Sequence, residues 1–400
     1  MDAASTLVVS YCFPPYSDTA GIVAAKRVRE AGVPVDVICN AMDAIRKRDA
    51  SLTRIGGDLV RRFAAVPSRT AFSSDRSVRD FVTAGLARVD AWESVQGPYE
   101  KLYSRAQFIH SHFLAARYKA ARPDVEWTAE FSDPLSHDVM GHTRTSPFGA
   151  GFLMDHLSNG ITAAGFTPPE SDNINEWCEV AAFALADHFL FTNALQRDFM
   201  VDHCHDRSLA GRVLERATVS PHPTLPREFY SLVESETPPA DRVNVAYFGN
   251  FYANRGVDLI LDALAALPRE QSARLMLHVF TASPDSLVPA VERAGLGHCV
   301  RVGPYVDYLE FLALSDRMDL LLVNDAVAPE GVVNPFLPSK WSDYAGSTTP
   351  VWAVVQEGSS LDALDAFAFR TPVEHLSGLT QVLSQLALGG APARRVTTPG

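Results

Sequence analysis

A chain of 400 residues is too long for one ordinary core and suits two domains of roughly 150–200 residues each. Its 47% hydrophobic and 20% charged residues are those of a soluble globular protein, and a formal net charge of −12 argues against broad nucleic-acid binding. No apolar run reaches the ~18 residues that span a bilayer. The first residues, Met-Asp-Ala-Ala-Ser-Thr, carry no basic segment, so no signal peptide is expected, and five scattered cysteines suit reduced thiols in a cytoplasm.

Residues 6–13 form a compact apolar run that predicts a first buried strand. It ends in Phe13, Pro14 and Pro15, followed by a polar loop to Gly21, a helix over 22–31 and a strand over 33–39. This is a βαβ unit without the Gly-x-Gly-x-x-Gly of a dinucleotide site. Residues 41–75 show little periodicity. Nine cations lie within 46–79, and two readings stay open for them: a solvated basic surface, or peripheral contact with an anionic membrane or lipid-phosphate acceptor.

A helical pattern covers 78–95, then strands at 107–110 and 126–131 flank a helix at 113–121. His110 and His112 thus fall at one strand end and Asp133 at the next, on one edge of the sheet. Two histidines at i and i+2, like His203 and His205 further on, lack a third ligand at a useful spacing, so no metal is expected. Residues 141–173, rich in Gly, Ser, Thr, Pro and Asn, read as a long irregular insertion. A helix over 174–185, a strand over 187–192 and a helix over 193–204 complete the first half.

Between 221 and 242, five prolines and a Glu/Ser/Thr run break the pattern. They divide the chain into domains at 1–225 and 243–400 with a linker at 226–242. A strand at 243–249 then leads through Asn250 to Arg255 and Gly256 at a helix entrance, where backbone N–H groups and a guanidinium suit phosphate oxygens. Strand–helix alternation continues to the apolar runs at 319–323 and 350–355. Between these lies Asn334 to Val351, NPFLPSKWSDYAGSTTPV. Pro338 and Ser339 can start a helix there, with the serine capping it. Lys340 and Asp343, three apart, share one face: a cation for a phosphate and a carboxylate for hydroxyls. A last amphipathic helix covers 374–388, and the residues from 389 onward read as a frayed tail.

The Lys-x-x-acid-Tyr pattern, with Pro350 and Val351 ten and eleven residues after Lys340, resembles the signature of retaining GT-B glycosyltransferases of the GT4 type. That resemblance implies an α/β fold of two Rossmann-like doubly wound domains facing a central cleft. It also implies transfer of a sugar from a nucleotide diphosphate sugar to an acceptor with retention, without metal or cofactor. By resemblance Asp343 takes the place of the second glutamate of the family's Glu-x7-Glu motif, which holds the ribose. Pro335 stands where the first would be, and the nearest upstream acid is Glu330. Gly249, Asn250 and Arg255 match the loop in which two cations grip the diphosphate; Asn250 falls on or beside the first, and Lys340 can supply the missing charge. The loop ending at Gly21 resembles the family's first loop between donor and acceptor. His112 resembles the histidine that contacts the donor sugar, and Phe131 to Pro134 the family's Phe-Arg-Asp-Pro, which puts Asp133 in the site; Asn334 joins the donor set. The acceptor, whether a glycan, a lipid-linked sugar or a small molecule, is not specified. Two alternatives remain: a nucleotide-sugar epimerase of the same fold, and a catalytically silent relative that binds a nucleotide sugar or a partner protein.

Overall fold

The computed structural model describes residues 4–138, 141–250, 256–329, 331–332 and 334–396. The chain divides into two compact units, Met1–Pro223 and Thr224–Gly400. In the first, the strands are β1 (Thr6–Ser10), β2 (Val35–Asn40), β3 (Val60–Val66), β4 (Lys101–Ala106), β5 (Glu126–Phe131), β6 (His188–Phe191) and β7 (Ala217–Val219). The helices are α1 (Thr19–Ala31), α2 (Asp75–Gln96), α3 (His110–Ala121), α4 (Phe152–Ala163), α5 (Ile174–Leu185), α6 (Ala194–Asp202) and α7 (Arg207–Arg216), with a 3-10 turn at Ala50–Ile55. All the pairings are parallel, in the order β3-β2-β1-β4-β5-β6-β7.

The second unit has strands β8 (Val243–Phe248), β9 (Leu275–Thr281), β10 (Val300–Pro304), β11 (Leu320–Asn324), β12 (Val351–Val355) and β13 (Phe369–Pro372). Its helices are α8 (Asp258–Ala265), α9 (Arg269–Ser272), α10 (Pro284–Arg293), α11 (Tyr308–Ser315), α12 (Lys340–Ala345) and α13 (Leu376–Gly389). The parallel order is β10-β9-β8-β11-β12-β13. Strand residues alternate between two cores: Val245, Tyr247, Leu322 and Trp352 on one face, Ala246, Phe248, Leu321 and Ala353 on the other. Burial on both faces explains why these strands read as continuous apolar runs rather than alternating ones. The α/β class and the paired parallel sheets expected from the sequence are present.

Three local expectations are corrected. The strand expected at 107–110 is β4 at Lys101–Ala106, and Phe108 and Ile109 instead pack into the core at the turn into α3. The 141–173 stretch contains α4, and its flanks are tied down by Phe148 N–H to Asp172 O (2.6 Å) and Ile174 N–H to Ser146 O (2.9 Å). The tail beyond α13 is held at 394 and 395: Arg395 N–H donates to Thr348 O (2.7 Å), and its guanidinium reaches Thr349 O and Ser347 O (both 2.9 Å). Arg394 donates to Asp316 O at 2.7 Å. Carbonyls left open at helix ends need donors: Arg395 supplies those after α12, and Arg394 those after α11.

Candidate functional site

In both sheets the strand order reverses beside the first strand of its unit, between β1 and β4 and between β8 and β11. Crossovers depart to opposite sides at such a point, leaving a crevice outside the carboxyl ends of the strands where open α/β sheets bind ligands.

In the second unit that position holds Gly249 and Asn250, directly after β8. The Gly249 N–H donates to Phe280 O (2.9 Å), prolonging the ladder with β9. A Cβ on Gly249 would collide with Lys340 Nζ, so only glycine lets the ammonium rest on this strand end. The same ammonium lies 4.5 Å from the centroid of the Tyr247 ring, whose face favours a cation. Tyr247 OH in turn donates to Asn250 O (3.3 Å). The Asn250 side chain turns to the end of β9, accepting from Ala282 N–H (3.1 Å) and Thr281 Oγ (3.4 Å). Among the described residues, the cation at this strand end comes from α12.

Asp343, one helical turn beyond Lys340, is 9% exposed and accepts a 2.6 Å hydrogen bond from Tyr308 OH on α11. Burial and then the Asp343 charge push the Tyr308 phenol well up, which keeps it a donor at neutral pH. Tyr230 OH donates to the backbone carbonyl of Asp343, fixing the helix from a second side. The expected serine cap is not formed: Ser339 Oγ makes no capping bond, and Ser339 O accepts from Ser342 Oγ (2.9 Å). With only six residues, α12 offers little dipole, so Lys340 carries the positive charge at this end.

Asn334 is buried and holds its own loop, donating to Ala326 O (2.8 Å) and accepting from Phe336 N–H (3.0 Å). Asp325, unremarked in the sequence, accepts from Gln356 N–H (3.0 Å) and Ser359 Oγ (2.5 Å) and ties the end of β11 to that of β12. Arg255 and Glu330 lie outside the described residues.

In the first unit, Gly21 sits in the first turns of α1, where a Cβ would come within 2.9 Å of the Cys12 and Phe13 backbone. Asp18 caps this helix through Ala20 N–H (2.9 Å) and pairs with Arg46 (2.8 Å). His110 and His112, expected in a loop, form the first turn of α3 and are buried. His112 Nδ1 lies 2.8 Å from Ser104 Oγ, which also accepts from Trp127 Nε1–H (2.8 Å), and the ring meets Phe131 edge-on. Burial, with Arg105 nearby, pulls His112 down to about 3, so it is neutral at physiological pH. Asp133 is half-buried, two residues past the end of β5. Among the described residues no three His, Cys, Asp or Glu side chains gather as a metal site.

No family model and no curated protein matches the sequence. Solved structures do match the fold. Anabaena HepE in complex with UDP-glucose aligns over 95% of this chain and 89% of its own, at TM-score 0.57 and 14% identity. An α,α-trehalose-phosphate synthase (UDP-forming) from Burkholderia xenovorans aligns over 95% and 91%, at TM-score 0.58 and 13% identity. A UDP-N-acetylglucosamine 2-epimerase aligns over 97% and 91%, at TM-score 0.51 and 10% identity. The chain therefore has the GT-B fold, an architecture that hosts both glycosyl transfer and epimerisation in these relatives by shape.

Proposed function

We propose that the chain is a glycosyltransferase that takes its sugar from a nucleotide diphosphate donor held on the second unit. The observation that carries this reading is the placement of Lys340 Nζ at the end of β8, against Gly249 and Tyr247, with Asp343 on the same helix. A cation at the switch point suits a diphosphate, and a carboxylate one turn on suits ribose hydroxyls. Lys340 stabilises charge growing on the departing diphosphate, and Asp343 orients the nucleotide. Retention at the anomeric carbon and independence of metal follow the GT4 resemblance and belong to the same proposal, as does a cytoplasmic location. UDP-sugars are the first donors to try, since HepE is solved with UDP-glucose.

A panel of nucleotide sugars is screened by thermal shift, and release of free nucleotide diphosphate is then followed with candidate acceptors. A donor at 100 times its Kd should stabilise the folded chain by about 2.7 kcal/mol. Lys340→Ala is expected to lower kcat by roughly one hundred-fold, the scale on which removing one charge-stabilising group acts. A folded variant with unchanged kcat would sink the proposal. The solved epimerase of this fold supports one second reading. Interconversion of two nucleotide sugars with no acceptor present would select it.

A further inference from the structure

The first unit contains a half-open cavity of about 610 Å³ that the donor reading does not use. Its walls are Phe13, Pro14 and Pro15 after β1, Ala25 on α1, Leu52 in the 3-10 turn, and Val60 and Phe63 on β3. Phe63 is 41% exposed, with its ring 6.4 Å from that of Phe13. An aromatic ring so exposed beside a concave apolar floor is the kind of surface that small ligands cover.

The charge around it is equally uneven. Of the nine cations in 46–79, five are neutralised within the unit: Arg46 by Asp18, Arg48 by Asp43, Arg62 by Asp36, Arg76 by Asp80 and Arg79 by Asp75. The stretch is therefore not a broad basic face. Arg54 lines the cavity, exposed and with no carboxylate partner among the described residues. Arg61, beside Val60 on β3 but outside the lining, donates to the Asp58 carbonyl (2.9 Å). Arg29 also lines the wall and donates to Ile55 O (3.4 Å). Asp58 is the one acid in the lining.

We propose that this cavity binds a single small amphiphile with a hydrocarbon or aromatic body and one anionic head, the body over Phe13 and Phe63 and the head on Arg54. The volume matches that of pockets for one such molecule, and a lone anion without a body would leave the apolar floor wet. The site lies wholly within the first unit and does not depend on what the second unit binds.

The test is calorimetric titration of the full chain with dodecyl phosphate below its micelle concentration. Inorganic phosphate and decyl maltoside serve as head-only and body-only probes. Dodecyl phosphate should bind with a micromolar Kd, and each partial probe at least roughly tenfold more weakly. Arg54→Glu and Phe63→Asp, both exposed positions, should each weaken dodecyl phosphate at least roughly tenfold while leaving the thermal midpoint near that of the parent. Equal affinity in the variants overturns the assignment. So does inorganic phosphate binding as tightly as dodecyl phosphate, or association seen only with anionic phosphatidylglycerol vesicles and not with the monomer, which would be a membrane surface instead.

Discussion

Gly249 and Lys340 are coupled through space in a way that makes a sharp single-residue test. A Cβ at 249 meets the far end of a flexible lysine, which can swing away, but the glycine's φ of +157° also strains any side chain placed there. Gly249→Ala should therefore lower the thermal midpoint by several degrees and, in the folded protein, reproduce the donor-binding and kcat defects of Lys340→Ala. A Gly249→Ala enzyme with parental kinetics would separate the two residues. Tyr308 offers a second test, because its hydroxyl holds one carboxylate oxygen of Asp343 at 2.6 Å. Hydrogen bonds to charged groups contribute about 1.5–3 kcal/mol, and losing this one removes one hold on the Asp343 carboxylate. Tyr308→Phe is expected to weaken nucleotide diphosphate binding by roughly tenfold in calorimetry; parental affinity in the folded variant would show that Asp343 needs no such support. Lys340 and Asp343 were legible in the sequence because a three-residue spacing on one helix is local information. Tyr247 and Tyr308 were not, since they reach the site through tertiary contacts between elements about 30 to 90 residues distant in the chain.

The elements show the same division between local and distant causes. The strand at Glu126–Phe131 and the helix at Ile174–Leu185 match their expected bounds, since a short bounded apolar run and an apolar helical face state their own period. The strand β3 stayed hidden because it is an edge strand whose Arg61 and Arg62 interrupt any apolar run. The helix α7 and strands β7 and β13 were missed for being short and half-exposed. The tail beyond α13 misled in the opposite direction, for Ala, Pro and Arg look frayed until their partners are known. Arg395 is half-buried, and burial lowers its guanidinium pKa, so its carbonyl contacts are what hold it in place. Arg395→Ala should cost about 1–3 kcal/mol by leaving the carbonyls after α12 unpaired, read as a lower denaturant midpoint with an unchanged slope. A midpoint equal to the parent's would mean water replaces the arginine without loss.

At the scale of the whole molecule, the buried histidines set how stability responds to acid. Burial drives His110 and His112 in the first unit down to about 3, and His278 in the second to about 4, from an ordinary value of 6.5. His278 Nε2 sits 3.0 Å from Asn244 Oδ1, and His110 Nε2 sits 2.9 Å from Ser77 Oγ, so each neutral ring is built into a polar contact. The unfolded chain takes up a proton on each near pH 6.5, whereas the folded chain does not. Their contribution is thus fully present above pH 6.5 and is lost as pH falls from 6.5 toward 4 and then 3. Each ring steepens the loss by at most about 1.4 kcal/mol per pH unit. Glu179 runs the other way: burial raises its carboxyl above 4.5, so it favours the folded state as pH falls. Opposed trends in one molecule are separated by difference. Urea unfolding of the parent and of a His110→Gln, His112→Gln variant at pH 7.5, 6.0 and 5.0 should give curves that converge as the pH drops, because only the parent carries the two depressed groups. A constant gap between them at all three pH values would show that these rings titrate in the folded chain as they do in the unfolded one, and that the acid limb belongs to the carboxylates.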